Sequence, residues 1–370
     1  MRVFFSLGER SASNYIYHIF KDVKGIEAWG ITDERLESIG FKSVAKIEDL
    51  SVVGIMEALP KIPFVLKLYR KIEDLLPYMD VLVLCDAPAF NLPLLKRAKG
   101  KVKKVVYFIS PQVWAWKEGR ARLIAEYADH LVVILPFEVS FYEKYKRESF
   151  KIHYVGHPLV DIAKPSQSKE NFLKFLGHER LVGLFPGSRW SEIKRHSHYL
   201  KRVFSELARR YHFFGVVPTF ESFREYLEDV FKDLPVRIIT HRDTPSPSYD
   251  TMAYSVISLI ASGTAELEAS LLLNPHIVFY RVHPLTYLMG KELVKVKWVS
   301  LTNLVLGREA VHEIIQRDWK HLYRASEELL KFEHLKESMR QDFIKLRHLL
   351  GDEGVINRLR SLFLSIFQEV

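Results

Sequence analysis

The chain has 370 residues, 48% of them hydrophobic and 27% charged, with a net charge of +9 and a pI near 9.3. That length suits two domains, and the composition excludes disorder. A single cysteine, Cys85, excludes an intramolecular disulfide and a cysteine-held metal and fits a reducing, cytoplasmic compartment, while the positive charge favours anionic partners: nucleic acid, acidic phospholipid or phosphorylated substrates.

Short β-branched and aromatic runs alternate with longer amphipathic segments, the pattern of βαβ units on a parallel sheet. The start, MRVFFSLGERSASN, turns polar too early for a secretory signal and reads as a first buried strand. IEAWGI is the second. Residues 59–72 form a wide apolar face broken by four basic residues. Such a helix can lie in a lipid interface if Phe64, Leu66 and Leu68 are exposed; an ordinary sheet-covering helix with a basic edge has the same composition. No apolar run reaches the roughly 18 residues needed to cross a bilayer.

DVLVLCD, KVVYFIS, HLVVILP and KIHYVGH complete a first series of strands. Asp86 ends the first of these. It can serve as a general base at the carboxyl end of a strand, or simply cap the turn before Pro88. Cys85 points to the other side and reads as a small buried hydrophobe. Trp114 and Trp116 can line a pocket but read better as core aromatics, and His157, before Pro158, can meet a substrate near the linker but reads better as a structural histidine.

The polar stretch 163–171 reads as an interdomain linker. It separates a domain over 1–165 from a second over 172–345, with a C-terminal helix over 346–370. The second series is LVGLFPGS, HFFGVVP, VRIIT, VISLIASG and HIVFYR, and from Glu309 onward the pattern is helical. Two doubly wound domains of this kind would face each other across a crevice at the carboxyl ends of their strands.

Two strand-turn-helix entries in the second domain suit a diphosphate. In LFPGSRWSE, Gly187 permits close backbone approach, Ser188 can cap the helix and Arg189 adds a bidentate phosphate partner. A plain turn with an exposed arginine would look alike. In IASGTAELE, Ser262, Gly263 and Thr264 offer hydroxyls and bare amides, and Glu268 can accept from both ribose hydroxyls. Glu266 reads as a complement to the helix dipole. Neither entry matches the ATP or NAD fingerprints, and no paired histidine spacing or DxD loop calls for a metal.

Taken in order, VVGIMEAL, CDAPAFN, SPQVWAW, ILPFE with FYEKY, VGHP, PGSRWSEI, ASGTAELE and VSLTNLVLGRE resemble the lipid-A-disaccharide synthase family over nearly the whole chain. The resemblance implies an α/β GT-B fold of two Rossmann-like domains with a helical C-terminus, and no metal or other cofactor. It implies transfer, with inversion, from UDP-2,3-diacylglucosamine to 2,3-diacylglucosamine 1-phosphate, giving a β-1,6 disaccharide and UDP. Asp86 matches the family's base. Gly187, Ser188, Arg189, Ser262, Gly263, Thr264, Glu268, Asn303 and Arg308 fall in motifs for the UDP end, and Gly8, Glu9, Ser11 and Asn91 lie on the acceptor side. Peripheral attachment to an anionic membrane, on the cytoplasmic face of the inner membrane, is implied as well.

The chain departs from the family where Gly-Glu-Ala-Ser-Gly-Asp becomes Gly8-Glu-Arg-Ser-Ala-Ser13, and where Gln112 replaces a small hydroxyl residue. Rival readings are another GT-B enzyme using UDP-GlcNAc, such as a peptidoglycan lipid transferase or a 2-epimerase, and a non-catalytic basic membrane-binding protein. Scattered Lys and Arg and the lack of RRM, KH or zinc-finger patterns speak against nucleic acid. The C-terminal helix is left to cross back onto the first domain or to serve a homodimer.

Overall fold

Thirteen parallel strands build two separate sheets in the computed structural model, which describes residues 1–50, 62–114, 119–282 and 297–370. In the first sheet, β1 (Arg2–Leu7), β2 (Glu27–Thr32), β3 (Lys42–Lys46), β4 (Val81–Cys85), β5 (Lys104–Phe108), β6 (His130–Val133) and β7 (Lys151–Tyr154) lie in the order β3-β2-β1-β4-β5-β6-β7. In the second, β8 (Leu181–Phe185), β9 (Phe214–Pro218), β10 (Val236–Ile239), β11 (Ile257–Ala261), β12 (His276–Tyr280) and β13 (Glu313–Ile315) lie in the order β10-β9-β8-β11-β12-β13. Each order reverses beside its first strand, at β1/β4 and at β8/β11. Loops leaving neighbouring strands in opposite directions open a gap there, which is where doubly wound sheets bind ligands.

The central strands are apolar because helices cover both faces: β4, β8 and β11 are buried at every position. Helix Trp190–Tyr211 shows the complementary pattern, burying Ile193, Leu200, Val203, Phe204 and Leu207 at helical spacing and leaving most of its charges outside, Glu192 excepted. Two strands escape the sequence reading. β3, KSVAK, has no fully buried residue, and β13 has three residues inside a stretch read as helical. Both are edge strands, whose half-solvated faces carry little hydrophobic signal.

The chain divides into Met1–Pro158 with Leu350–Val370, and Leu159–Leu349. The polar stretch 163–171 is built into the second unit. Ser166 donates to Asp250 from its amide (2.6 Å) and its hydroxyl (2.7 Å), and Ser168 caps helix Lys169–Leu176. Helix Val355–Gln368 returns to the first unit. Its Phe363 and Phe367 pack on Phe20 with ring centroids 5.4 and 6.1 Å away, and Phe363 also meets Phe108 at 5.4 Å. Burying such a side chain is worth about 1.5–3 kcal/mol. Arg360 adds bonds to the carbonyls of Ile19 (2.8 Å) and His18 (3.2 Å), where the helix Arg10–Phe20 ends.

Helix Ile62–Leu75 corrects one expectation. Ile62, Phe64 and Leu66 are 48%, 39% and 48% exposed, whereas Leu68 is only 4% exposed. Leu68, Tyr69 and Ile72 form the inward stripe at helical spacing, so Leu68 belongs to the core. Residues 59–61 of that segment, the VVGIMEAL motif and Trp116 lie outside the described residues. None of the described helices is long and apolar enough to cross a membrane.

Candidate functional site

In the first unit the carboxyl ends of β1 and β4 meet. Asp86 and Ala87 follow β4 with φ of +45°, a left-handed conformation that side chains resist. The chain holds them there. The Asp86 carbonyl accepts from the Asn91 amide at 2.9 Å and the Tyr107 hydroxyl at 2.8 Å, and the Asp86 N–H donates to the Phe108 carbonyl at 3.2 Å. Gly8, at the end of β1, permits the approach: a Cβ there would lie 2.1 Å from that of Ala87.

Burial pushes the Asp86 carboxyl up to about 7, and the charge of Glu9 adds to the shift. Glu138, which sequence reasoning named only inside the ILPFE motif, is a second raised carboxyl in this unit. It is buried, pushed up to about 8 chiefly by that burial, with the Asp86 charge a smaller contributor. It accepts from the Leu135 amide at 3.1 Å and the Trp114 indole at 3.2 Å. Its bond to Leu135 is local, but its burial and its Trp114 and Asp86 neighbours come from distant positions that a sequence does not display.

Asn91 is buried and fully engaged. Its amide nitrogen reaches the carbonyls of Ser6, Cys85 and Asp86, and its oxygen accepts from the Ser6 hydroxyl at 2.6 Å. It ties β1 to β4 and sets the backbone of Asp86. Glu9 precedes helix Arg10–Phe20, and Ser11 sits in that helix's first turn, partly buried. Ser13, standing where the family has aspartate, donates to Asp33 at 2.6 Å. An aspartate at 13 would oppose that carboxylate, so serine suits this neighbour. Cys85 and His157 are buried, as read from sequence, and burial holds the His157 imidazole down to about 3. Gln112 is exposed.

The second unit brings two turns together at adjacent strands. Gly187, Ser188 and Arg189 follow β8; Ser262, Gly263 and Thr264 follow β11. The turns differ in what already fills them. Ser188 does not cap helix Trp190–Tyr211. The buried Glu192 turns back instead, accepting from the amides of Ser188 (3.1 Å) and Arg189 (3.3 Å) and from the Tyr280 hydroxyl (3.1 Å). Gly187, at φ +114°, leaves room for it, since a Cβ there would meet Glu192 Oε2 at 2.6 Å. Arg189 lies half-exposed, 3.5 Å from Glu192. By contrast, among the described residues no side chain caps helix Thr264–Leu271. Its N-terminal amides make it the more open anion seat.

Glu268 lies one turn further in, accepts from the Tyr249 hydroxyl at 3.1 Å, and is pushed up to about 7 by burial. Asn303, expected to meet ligand, spends both ends of its amide on the chain. Its nitrogen donates to the Val311 carbonyl (2.8 Å) and Glu313 (2.9 Å), and its oxygen accepts from the amides of Ala310 (2.7 Å) and Val311 (2.9 Å). Arg308 pairs with the buried Asp342 and remains half-exposed. Among the described residues no group of His, Cys, Asp or Glu is arranged to hold a metal ion.

Comparison with known proteins adds to this geometry. Among solved structures, the co-structure of S. aureus MnaA with UDP has a TM-score of 0.67 at 15% identity, over 97% of this chain and 94% of that one. UDP-GlcNAc 2-epimerase from Neisseria meningitidis bound to UDP-GlcNAc has a TM-score of 0.66 at 13% identity, over 100% of both. At such identities these likenesses speak for the fold alone, a GT-B-like pair of parallel-sheet domains. The sequence relatives say more. The lipid-A-disaccharide synthase of Aquifex aeolicus is 48% identical over 367 residues, 99% of each chain, and that of Persephonella marina is 38% identical over 372 residues, 98% of each. A family model for lipid-A-disaccharide synthetase matches residues 3–367, and with relatives this similar over this length the chain belongs to the lipid-A-disaccharide synthase family, glycosyltransferases of lipid A biosynthesis.

Proposed function

We propose that the chain transfers the sugar of UDP-2,3-diacylglucosamine to the 6-hydroxyl of 2,3-diacylglucosamine 1-phosphate, with inversion, and that Asp86 is the general base. The supporting observation is the Asp86 carboxyl itself, raised to about 7 at the end of β4 and held by a backbone that Asn91 and Tyr107 pin in place. A carboxylate that gains its proton near neutral pH is matched to base catalysis. In this step Asp86 accepts the proton of the acceptor hydroxyl as its oxygen bonds to the anomeric carbon. The bond from that carbon to the UDP oxygen breaks, and its electron pair leaves with UDP.

At the donor end, the open amides of the Ser262–Thr264 turn and the Thr264 hydroxyl would take the diphosphate. Arg189 and Arg308 supply positive charge, and Glu268 accepts from the ribose hydroxyls. Asn303 supports this end through the backbone it holds. Ile62, Phe64 and Leu66 form an exposed apolar patch on a helix that also exposes Lys67, Arg70 and Lys71. This supports attachment to an anionic membrane surface, where substrates bearing acyl chains reside; the inner membrane's cytoplasmic face follows from that reading.

UDP release from the donor, measured in detergent with and without the acceptor, tests the reaction and the base together. Release should depend on the acceptor. Asp86→Ala should lower kcat by about 100-fold or more, the usual scale for a lost general base, and leave UDP binding intact. Turnover unaffected by Asp86→Ala would remove the base; release indifferent to the acceptor would remove the transfer.

A further inference from the structure

The Ser262–Thr264 turn and the segment carrying Asn303 and Arg308 belong to different elements, and one buried carboxylate joins them. Glu266 lies in the first turn of helix Thr264–Leu271 with no exposed surface. Its Oε2 accepts from the hydroxyls of Ser300 (3.0 Å) and Thr302 (2.8 Å), and its Oε1 from the Thr302 amide (3.1 Å). Thr302 Oγ1 donates to Glu266 and accepts in turn from the Ser270 hydroxyl at 2.8 Å. Ser300, while donating to Glu266, caps helix Leu301–Leu306 by accepting from the Asn303 amide at 3.3 Å. Buried His276 faces the same carboxylate, its Nε2 3.8 Å from Oε2 and without a hydrogen-bond partner among the described residues.

The helix so gripped has six residues, too few to persist on its own hydrogen bonds. Glu313 holds its other side, accepting from the amides of Val299 (2.9 Å) and Ser300 (2.9 Å) and from the Asn303 side chain (2.9 Å). Asn303 then fixes the backbone of Ala310 and Val311, beyond Arg308. The contacts therefore run without a break from the Thr264 helix through Glu266, Ser300, Thr302 and Asn303 to the loop that presents Arg308. Ionised burial is costly unless every lone pair is used. Here the carboxylate's partners are the N-terminal turn of the helix that this chain of contacts needs to hold still, where the helix dipole also favours it.

We propose that Glu266 is a positioning residue for the nucleotide: it keeps the Ser262–Thr264 turn and the Asn303–Arg308 segment in one fixed mutual placement without touching ligand. This rests on the donor-site reading above. The test compares donor KM, acceptor KM, kcat and UDP Kd for wild type, Glu266→Gln and Glu266→Ala, with thermal melts to confirm folding. Glu266→Ala should raise donor KM and UDP Kd about tenfold, the factor for one charge-assisted hydrogen bond, while acceptor KM and kcat hold. Glu266→Gln, which keeps the shape and one acceptor, should rescue most of the loss and leave a rise of about threefold.

Wild-type donor KM and UDP Kd in a folded Glu266→Ala protein would overturn the proposal, as would equal changes in both KM values. If Glu266→Ala does not fold, Glu266→Gln decides, and unaltered donor KM and UDP Kd in that variant overturn it. Failure of the donor-site reading is separate: it would show as no measurable UDP binding by the wild type.

Discussion

Asp86 combines a strained backbone, a raised carboxyl and a nearby like charge, and each has its own cause. The strain is held by Asn91 and Tyr107 on its carbonyl. Burial contributes most to the raised pKa, and Glu9 comes second. If Asp86 must be ionised to work, kcat/KM rises with pH through about 7. Replacing Glu9 by Gln removes the like charge, so that limb should move toward lower pH in a kcat/KM profile. A limb that stays in place would show that Glu9 does not tune Asp86. Sequence alone placed Asp86 at the end of an apolar strand, because strand and turn patterning is local. It left base and turn-cap readings open, since the groups that surround the residue come from β1, β5 and the Glu9 turn.

Helix Ile62–Leu75 shows how far a composition reaches at the scale of an element. Its apolar and basic residues were legible, but its inward stripe was not. Leu68 packs with Tyr69 and Ile72, while Ile62, Phe64 and Leu66 remain outside. Converting Phe64 and Leu66 together to Glu should lower co-sedimentation with anionic vesicles by about tenfold or more, since each apolar side chain inserted is worth about 1.5–3 kcal/mol. The melting temperature should hardly move. Binding equal to wild type would sink the membrane role of this patch. Leu68→Glu, by contrast, should cost stability, because it places a charge in the core. The edge strands β3 and β13 were missed at this scale for a related reason. Too few of their residues are buried for a period to emerge.

At the scale of the molecule, the first unit is closed by chain that arrives only after the second has been completed. Beyond the phenylalanines of helix Val355–Gln368, Glu369 pairs with Lys151 (3.0 Å) and Lys104 (3.3 Å) and reaches His130 Nε2 at 3.2 Å. His130 Nδ1 lies 3.0 Å from His153 Nε2, an arrangement that needs at least one neutral ring. Burial, then the charges of His130 and Lys151, hold His153 down to about 4. The unfolded chain therefore takes up this proton near pH 6.5, and the folded chain only near 4. Stability from this group is complete above 6.5 and declines as pH falls through that window. Melting temperature should drop between pH 7 and pH 5, and His153→Gln should flatten the drop. An unchanged slope in that variant would show that His153 is not the group responsible.

Two series of buried strands, the turns that end them and the family itself were legible in the sequence, because hydrophobic period, glycine and capping residues act over a few positions. Only the tertiary structure decided which polar groups remain free to meet a ligand. Asn91 and Ser6 are 85 residues apart, Glu192 and Tyr280 are 88 apart, and Glu266 and Thr302 are 36 apart. In each pair a polar side chain is engaged by a partner far away in the sequence. Hydrogen-bonding capacity belongs to a residue, but whether it is already used depends on what the fold brings beside it.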